Sequence, residues 1–363
     1  MKNDIKDAVM MCEKITGKNL SLPVLSSILF VSENKNLKLI ATNLEMGVEI
    51  IVPAKIEKEG KVAVPAGILN GFLSNLYSDE HVVFESKDKN LIITTQNSST
   101  TIKCQPADDF PSIPKYHEKN KGIEISLNDF LHGLKSVFYA SSLLNMKPEI
   151  SSVYVYSDGV SALVFVATDS FRLAEKRIEC EMENFKAVMI PHKSAIEIMR
   201  IFEEKDGKIK IITDKNQIFL EFNGINFVSR LVEGVFPDYR QVIPEKFSTD
   251  AVVDKNIFAN SLKTAGIFIG KLCEVKIAVN TPEKSLNLAT SNGEAGEHSS
   301  VIPAKITGKS IKMAFNHRYL SDCLPHIPSN DIILRFSGEG KPLIIASTKD
   351  NSFQYLTMPM NTA

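Results

Sequence analysis

The sequence predicts an α+β protein of three tandem repeated domains, each with two helices packed on a sheet. Three observations predict it. An apolar helical stripe occurs three times at a period of about 125 residues, a strand-turn-strand pattern follows each stripe, and proline-rich breaks close the first two repeats. A period of about 20–50 residues would mean a solenoid; one of this length is domain-sized. The predicted domains are residues 1–118, 119–245 and 246–363.

The stripes lie on Ala66 to Leu76, His192 to Phe202 and His317 to Ile327, each entered from a β-like run. Leu69, Phe72, Leu73 and Leu76 share one helix face, as do Ala195, Ile198, Met199 and Phe202, and Leu320, Cys323, Leu324 and Ile327. Pro65 and Pro191 are start signals for the first two. An earlier helix precedes each, with stripes at Ile5, Ala8, Val9 and Cys12, at Leu127, Phe130, Leu131 and Leu134, and at Phe258, Leu262 and Ala265. The following hairpins are Val82 to Glu85 with Leu91 to Thr95, Ile209 to Thr213 with Ile218 to Phe222, and Ile332 to Phe336 with Leu343 to Ser347. Asp109-Phe110-Pro111 and Phe236-Pro237-Asp238 read as linkers, because proline breaks both helix and strand pairing. Strand-like runs at Gly122 to Ser126 and Thr249 to Val253 open the second and third repeats, whereas repeat one has only Met1 to Asn3 there: either its first strand is missing or the chain start is unusual.

Composition excludes several classes. The apolar share of 44% and charged share of 23% are those of a soluble globular chain. Apolar runs such as Leu22 to Val31 are too short for a membrane span, and Met1 to Lys6 has no signal-peptide core. Five cysteines without a CxxC pair argue against a disulfide framework and a zinc site, and fit a cytoplasmic protein. The net charge of −1 does not announce a nucleic-acid binder, although charge can be sorted between surfaces. No phosphate-binding loop, GxSxG or HExxH motif occurs. The sequence calls for no catalytic residue, no metal and no cofactor. The rival reading is a metal-dependent nuclease on a tandem α+β scaffold, which would need clustered acids. Asp169 after Ala-Thr is a lone acid, and more often such a residue makes a turn.

Six segments resemble the beta subunit of bacterial DNA polymerase III, the sliding-clamp family. They are Leu22-Pro23-Val24-Leu25-Ser26-Ser27, Ala41-Thr42-Asn43-Leu44-Glu45, Asp109-Phe110-Pro111, Ala167-Thr168-Asp169-Ser170-Phe171-Arg172-Leu173-Ala174, Phe236-Pro237-Asp238-Tyr239-Arg240 and Met358-Pro359-Met360. The resemblance implies DNA-clamp domains that assemble into a head-to-tail homodimeric ring, with helices lining the hole and sheets outside. It implies a non-enzymatic processivity factor that encircles duplex DNA without reading sequence. It also implies a cleft that takes short linear peptides of DNA polymerase and clamp-loader subunits.

The family's cleft positions correspond to Thr168, Ser170, Phe171, Arg172, Leu173, Pro237, Val242, Leu272, Asn316, Tyr319, Met358, Pro359 and Met360. An apolar floor with a few polar rims suits aliphatic and aromatic anchors, and methionines repack around several partners. This chain has Ser170-Phe171 where the family usually has Gly-His, and Asn361-Thr362-Ala363 where Arg-Leu usually ends the chain. Sliding on DNA needs phosphate attraction without base readout. The candidates on or beside the repeat helices are Lys14, Lys18, Lys135, Lys147, Lys193, Arg200, Lys263 and Arg318. Three domains make half a six-domain ring, so a second chain must close it. The expected contact joins an edge strand carrying Thr100, Ile102 and Cys104, with Ile102 facing the partner, to the helix end carrying Ile267 and Phe268.

Overall fold

The computed structural model describes residues 2–17, 21–33, 35–76, 81–116, 122–144, 146–159, 161–180 and 185–360; Lys18 and residues 361–363 lie outside them. The first repeat runs α1 (Lys2–Ile15), β1 (Ser27–Glu33), β2 (Asn36–Thr42), β3 (Met46–Pro53), β4 (Gly60–Pro65), α2 (Ala66–Ser74), β5 (Val83–Lys87), β6 (Asn90–Thr94) and β7 (Ser99–Lys103). The second runs β8 (Ile123–Ser126), α3 (Leu127–Val137), β9 (Ser152–Ser157), β10 (Ala162–Thr168), β11 (Arg172–Glu179), β12 (Val188–Pro191), α4 (His192–Ile201), β13 (Lys208–Asp214), β14 (Gln217–Phe222) and β15 (Ile225–Arg230). The third runs β16 (Thr249–Asp254), α5 (Lys255–Ala265), β17 (Glu274–Asn280), β18 (Ser285–Asn292), β19 (Gly296–Pro303), β20 (Lys305–Gly308), β21 (Ile311–Asn316), α6 (His317–Asp322), β22 (Asp331–Phe336), β23 (Leu343–Ser347) and β24 (Phe353–Thr357). The threefold order is the one the stripes predicted. β8 and β16 open the second and third repeats, whereas the described chain enters the first directly on α1.

The stripes are core, except that Phe72 and Leu76 of the first are half-buried. Leu69, Leu73, Ala195, Ile198, Met199, Phe202, Leu320, Cys323, Leu324 and Ile327 are all buried. The third of these helices is shorter than its stripe. α6 stops at Asp322, and Leu324–His326 continues as a 3-10 turn. Pro325 explains the break, since it has no N–H to give and its ring clashes with the carbonyl four residues back. Asn316 caps α6, its Oδ1 accepting from Arg318 N at 2.9 Å. In α3, Gly133 lets the helix lie against β10, because a Cβ there would stand 2.3 Å from the Phe165 ring. Phe130 packs on the same ring at 5.8 Å.

The sheets run across the sequence repeats rather than closing within them. The chain forms two compact units, Met1–Asn128 with Lys193–Leu231, and Asp129–His192 with Val232–Ala363. In the first, an eight-stranded antiparallel sheet has the order β4-β1-β2-β3-β15-β14-β13-β8, beside a three-stranded sheet β5-β6-β7. In the second, a nine-stranded sheet has the order β12-β9-β10-β11-β24-β23-β22-β16-β20, beside a four-stranded sheet β19-β18-β17-β21. Thus the edge β3 of repeat one pairs with the last meander strand, β15, of repeat two. β11 of repeat two pairs with β24 of repeat three in the same way. The physical reason is that each repeat would otherwise leave a long edge strand unpaired. Among the described residues, the equivalent edges β19 and β7 remain unpaired on their outer sides.

Candidate functional site

The turn between β10 and β11 is held by its own polar side chains. Thr168 Oγ1 donates to Arg172 O at 2.7 Å and accepts from Ser170 N at 3.1 Å. Asp169 Oδ1 accepts from Phe171 N and Arg172 N, both at 2.9 Å. The first repeat builds the same turn. Thr42 Oγ1 donates to Met46 O at 2.8 Å and accepts from Leu44 N at 3.1 Å, while Asn43 Oδ1 accepts from Glu45 N and Met46 N. Asp169 is therefore a turn residue, and the Ala-Thr-Asn and Ala-Thr-Asp segments are turn chemistry. Ser170 sits at φ +77° and Leu44 at φ +74°, in the left-handed region that favours glycine. This accounts for the usual family glycine at the Ser170 position. Ser170→Gly is expected to stabilise the chain by about 0.5–1 kcal/mol, read as a rise in the thermal or denaturant midpoint. An unchanged or lower midpoint would mean that the turn carries no such strain.

Arg172 follows the turn and is fixed on every side. Its Nε donates to Asp169 Oδ2 at 2.9 Å and its Nη1 to Asp322 Oδ2 at 2.6 Å. The guanidinium lies 4.6 Å from the Tyr319 ring centroid and 5.8 Å from that of Tyr139. The side chain is 11% exposed, so it braces the hairpin against α6 rather than offering a loose charge. Burial, with Asp169 alongside, pushes the Tyr319 phenol above its ordinary range.

Beyond the hairpin the outer sheet face is apolar. Val164, Val166, Leu173 and Leu356 form a buried cluster with Phe236 and Tyr239 of the linker, and Met358 packs on its margin. Leu173 stands opposite Leu356 across the β11–β24 joint. The Tyr239 hydroxyl donates to Glu175 Oε2 at 2.5 Å and meets the Tyr156 hydroxyl at 2.8 Å, and Arg240 donates to Tyr156 at 2.7 Å. Burial first, then these contacts, raises the Tyr239 phenol far above its ordinary range. The tail is pinned at two points. Met358 N–H donates to Phe171 O and Met360 N–H to Ala314 O, both at 2.8 Å. Met358, Pro359 and Met360 are half-buried, whereas Phe171 is 61% and Val242 50% exposed, and Pro237 is also exposed. The arrangement is an apolar floor with accessible rims.

The hairpin, Tyr319 and the tail are thus tied together through Arg172 and Phe171, while Pro237 and Val242 flank the linker residues Phe236 and Tyr239 that pack on Leu173. Two stand apart. Leu272 is 72% exposed and lines a groove along β17–β19 with Glu274, Lys276, Ser291 and Glu297, outside the Leu173 cluster. Asn316 spends its amide oxygen on capping α6. Val164, Val166 and Leu356 belong to the floor and were not singled out from sequence. Residues 162–166 are apolar throughout, so alternation could not choose their outward face. Asp322, which braces Arg172, carried no sequence signal.

Among the basic candidates, Lys14, Lys147, Lys193, Arg200, Lys263 and Arg318 are exposed and Lys135 is half-buried. Arg200 also pairs with Glu197 at 2.8 Å. Lys14, Lys135, Arg200 and Lys263 lie in the last turns of their helices, where the helix dipole also favours cations. Lys18 lies outside the described residues. One expectation for the chain-closing surface is corrected: Ile102 does not face outward. It is 3% exposed and pairs with buried Leu91 in its own sheet. Strand alternation turns Thr101 and Lys103 to solvent instead. Thr100 and Cys104 are half-buried, with Cys104 just past β7. Ile267 is 70% exposed, and Phe268 is half-buried beside it on a 3-10 turn after α5.

Among the described residues no group of three or more His, Cys, Asp or Glu is placed to hold a metal ion, and no helix is long and apolar enough to cross a membrane. Family models of the DNA polymerase III beta subunit match the chain in order: the N-terminal domain over residues 1–114, the central domain over 124–238 and the C-terminal domain over 240–361. The beta sliding clamp of Synechococcus elongatus is 24% identical over 369 residues, spanning 99% of this chain and 97% of that protein. That of Synechocystis is 26% identical over 383 residues, with 99% and 97% covered. The solved DNA polymerase III beta subunit of Thermotoga maritima superposes with a TM-score of 0.93 at 25% identity, covering 100% of this chain and 98% of that one. With all three domain models matched in sequence order and the fold shared over its whole length, the chain belongs to the bacterial DNA polymerase III beta subunit family, the sliding clamps.

Proposed function

We propose that two of these chains close head to tail around duplex DNA in the cytoplasm, and that the Leu173 cleft tethers polymerase and clamp-loader peptides to the ring. Membership of the family sets aside the nuclease alternative: the role is topological, not catalytic. The observation that carries the reading is the repeated joint. β3 pairs with β15 and β11 with β24, which leaves β19 and β7 as the matching edges of the same series. A second chain satisfies both, and the contact closes after two copies if each chain supplies three domains, residues 1–118, 119–245 and 246–363. The exposed Lys14, Lys147, Lys193, Lys263 and Arg318, with Lys135 and Arg200, would then offer phosphates point charges that can slide.

Both internal joints are packed by the linker that follows them. At the first, Ile113 reaches to 2.9 Å of where a Gly47 Cβ would be, and Tyr116 packs on Phe219 at 5.6 Å. At the second, Phe236 and Tyr239 pack with Leu173, and Met358 lies at the margin of that cluster.

The test is retention. Clamp loaded onto a nicked circular duplex should remain through high salt and be lost within minutes of linearisation, because sliding off an end needs no phosphate contact to break. Retention on linear duplex, or sequence-selective binding to short duplex in high salt, would overturn the proposal.

A further inference from the structure

At each joint between repeats, one position faces one ring with one small side chain. Phe227 on β15 lies opposite Val48 on β3, and Tyr355 on β24 lies opposite Ala174 on β11. All four are buried. The hairpin pairings identify the corresponding positions on the two unpaired edges. Val48 pairs back to Ala41, Ala174 to Ala167 and His298 to Thr290. Phe227 pairs back to Leu220, Tyr355 to Ile345 and Thr100 to Ile93, and those three partners are fully buried. The third joint of the series therefore sets His298 opposite Thr100. The ring has changed strands, and both members have become polar.

His298 is already built for such a contact. It is half-buried on the edge strand β19, and its imidazole stacks on Phe268 with centroids 5.8 Å apart and planes 11° apart. Its Nε2 is buried, yet meets no hydrogen-bonding partner among the described residues. A buried ring nitrogen without a partner calls for an explanation. A threonine hydroxyl can donate to a ring nitrogen or accept from it, so either tautomer is served. Directly opposite residues in an antiparallel pair bring their Cβ atoms to about 4.5–5.5 Å, within reach of this pair.

We propose that His298 Nε2 hydrogen-bonds the hydroxyl of Thr100 of the partner subunit, a polar pin that fixes the register of the chain-closing joint. The inference rests on the head-to-tail pairing proposed above. A slip of one residue would set His298 against Ser99 or Thr101, whose side chains point to the other sheet face. Polarity also suits a joint that must open. The two internal joints are held by a continuous chain and keep apolar pairs, whereas both halves of this one must stand in water when the ring is open.

Two variants isolate the bond. His298→Phe keeps a ring on Phe268 and removes the nitrogen; Thr100→Val keeps the shape and removes the hydroxyl. Dimer dissociation constants are measured by sedimentation for wild type, both singles and the double, with circular dichroism checking that each chain is folded. Each single is expected to weaken dimerisation about tenfold. The double is expected to be no weaker than either single, because it recreates the apolar pair of the internal joints. Singles that match wild type, or a double weakened by the product of the singles, would overturn the pin while leaving the head-to-tail ring standing. A wild type that is monomeric at micromolar concentration would overturn the ring itself.

Discussion

Deleting residues 358–363 is expected to abolish binding of a polymerase-tail peptide while leaving the chain folded. Met358 and Met360 hang from the backbone of Phe171 and Ala314, and the half-buried Met358 side chain packs on the margin of the Leu173 floor. The last paired strand, β24, ends at Thr357, so the truncation breaks no sheet pairing. Losing the Met358 anchor and the tail segment that carries Met360 should weaken binding by roughly a hundredfold or more. Fluorescence titration with the peptide reads the loss, and the unfolding midpoint serves as the control. Unchanged affinity in a folded truncation would remove the cleft assignment. The same titration on Phe171→His tests whether the exposed Phe171 rim shifts peptide preference.

Ile267→Ala combined with Phe268→Ala is expected to turn the dimer into a folded monomer. Ile267 is 70% exposed at the end of α5, close to the unpaired edge β19, and Phe268 carries the His298 ring. Neither belongs to the core of α5, which is Phe258, Leu262 and Ala265. Burying side chains of this size against a second chain contributes about 1.5–3 kcal/mol each. Their loss should weaken association by roughly two to three orders of magnitude. Sedimentation of both proteins decides it: a double variant that stays dimeric at micromolar concentration would place the interface elsewhere.

The helices and meanders were legible because their signals are local. The stripes at Leu69, Ala195 and Leu320 repeat with helical spacing, and each proved buried. The turn residues between β13 and β14, and between β22 and β23, flank strands found within a residue or so of their expected places. The stripe reading overran α6: it carried the helix to Ile327, whereas Pro325 ends it at Asp322. The cleft was legible only through resemblance. An aspartate beside a threonine says turn, and a leucine in a strand says core. Both readings are true: Asp169 holds the β10–β11 turn and Leu173 lies in the buried cluster.

The sequence by itself determined the three repeats, their helices, their hairpins and the absence of any catalytic motif, because each depends on residues within a few positions of one another. Only the tertiary structure decided which strands share a sheet. β3 finds β15 some 180 residues later in the chain, and no local pattern encodes that choice. The direction of Ile102 was settled in the same way. A one-residue alternation decides whether a side chain faces core or solvent, and in a strand as polar as Ser99–Lys103 the sequence leaves both phases open until pairing with β6 selects one.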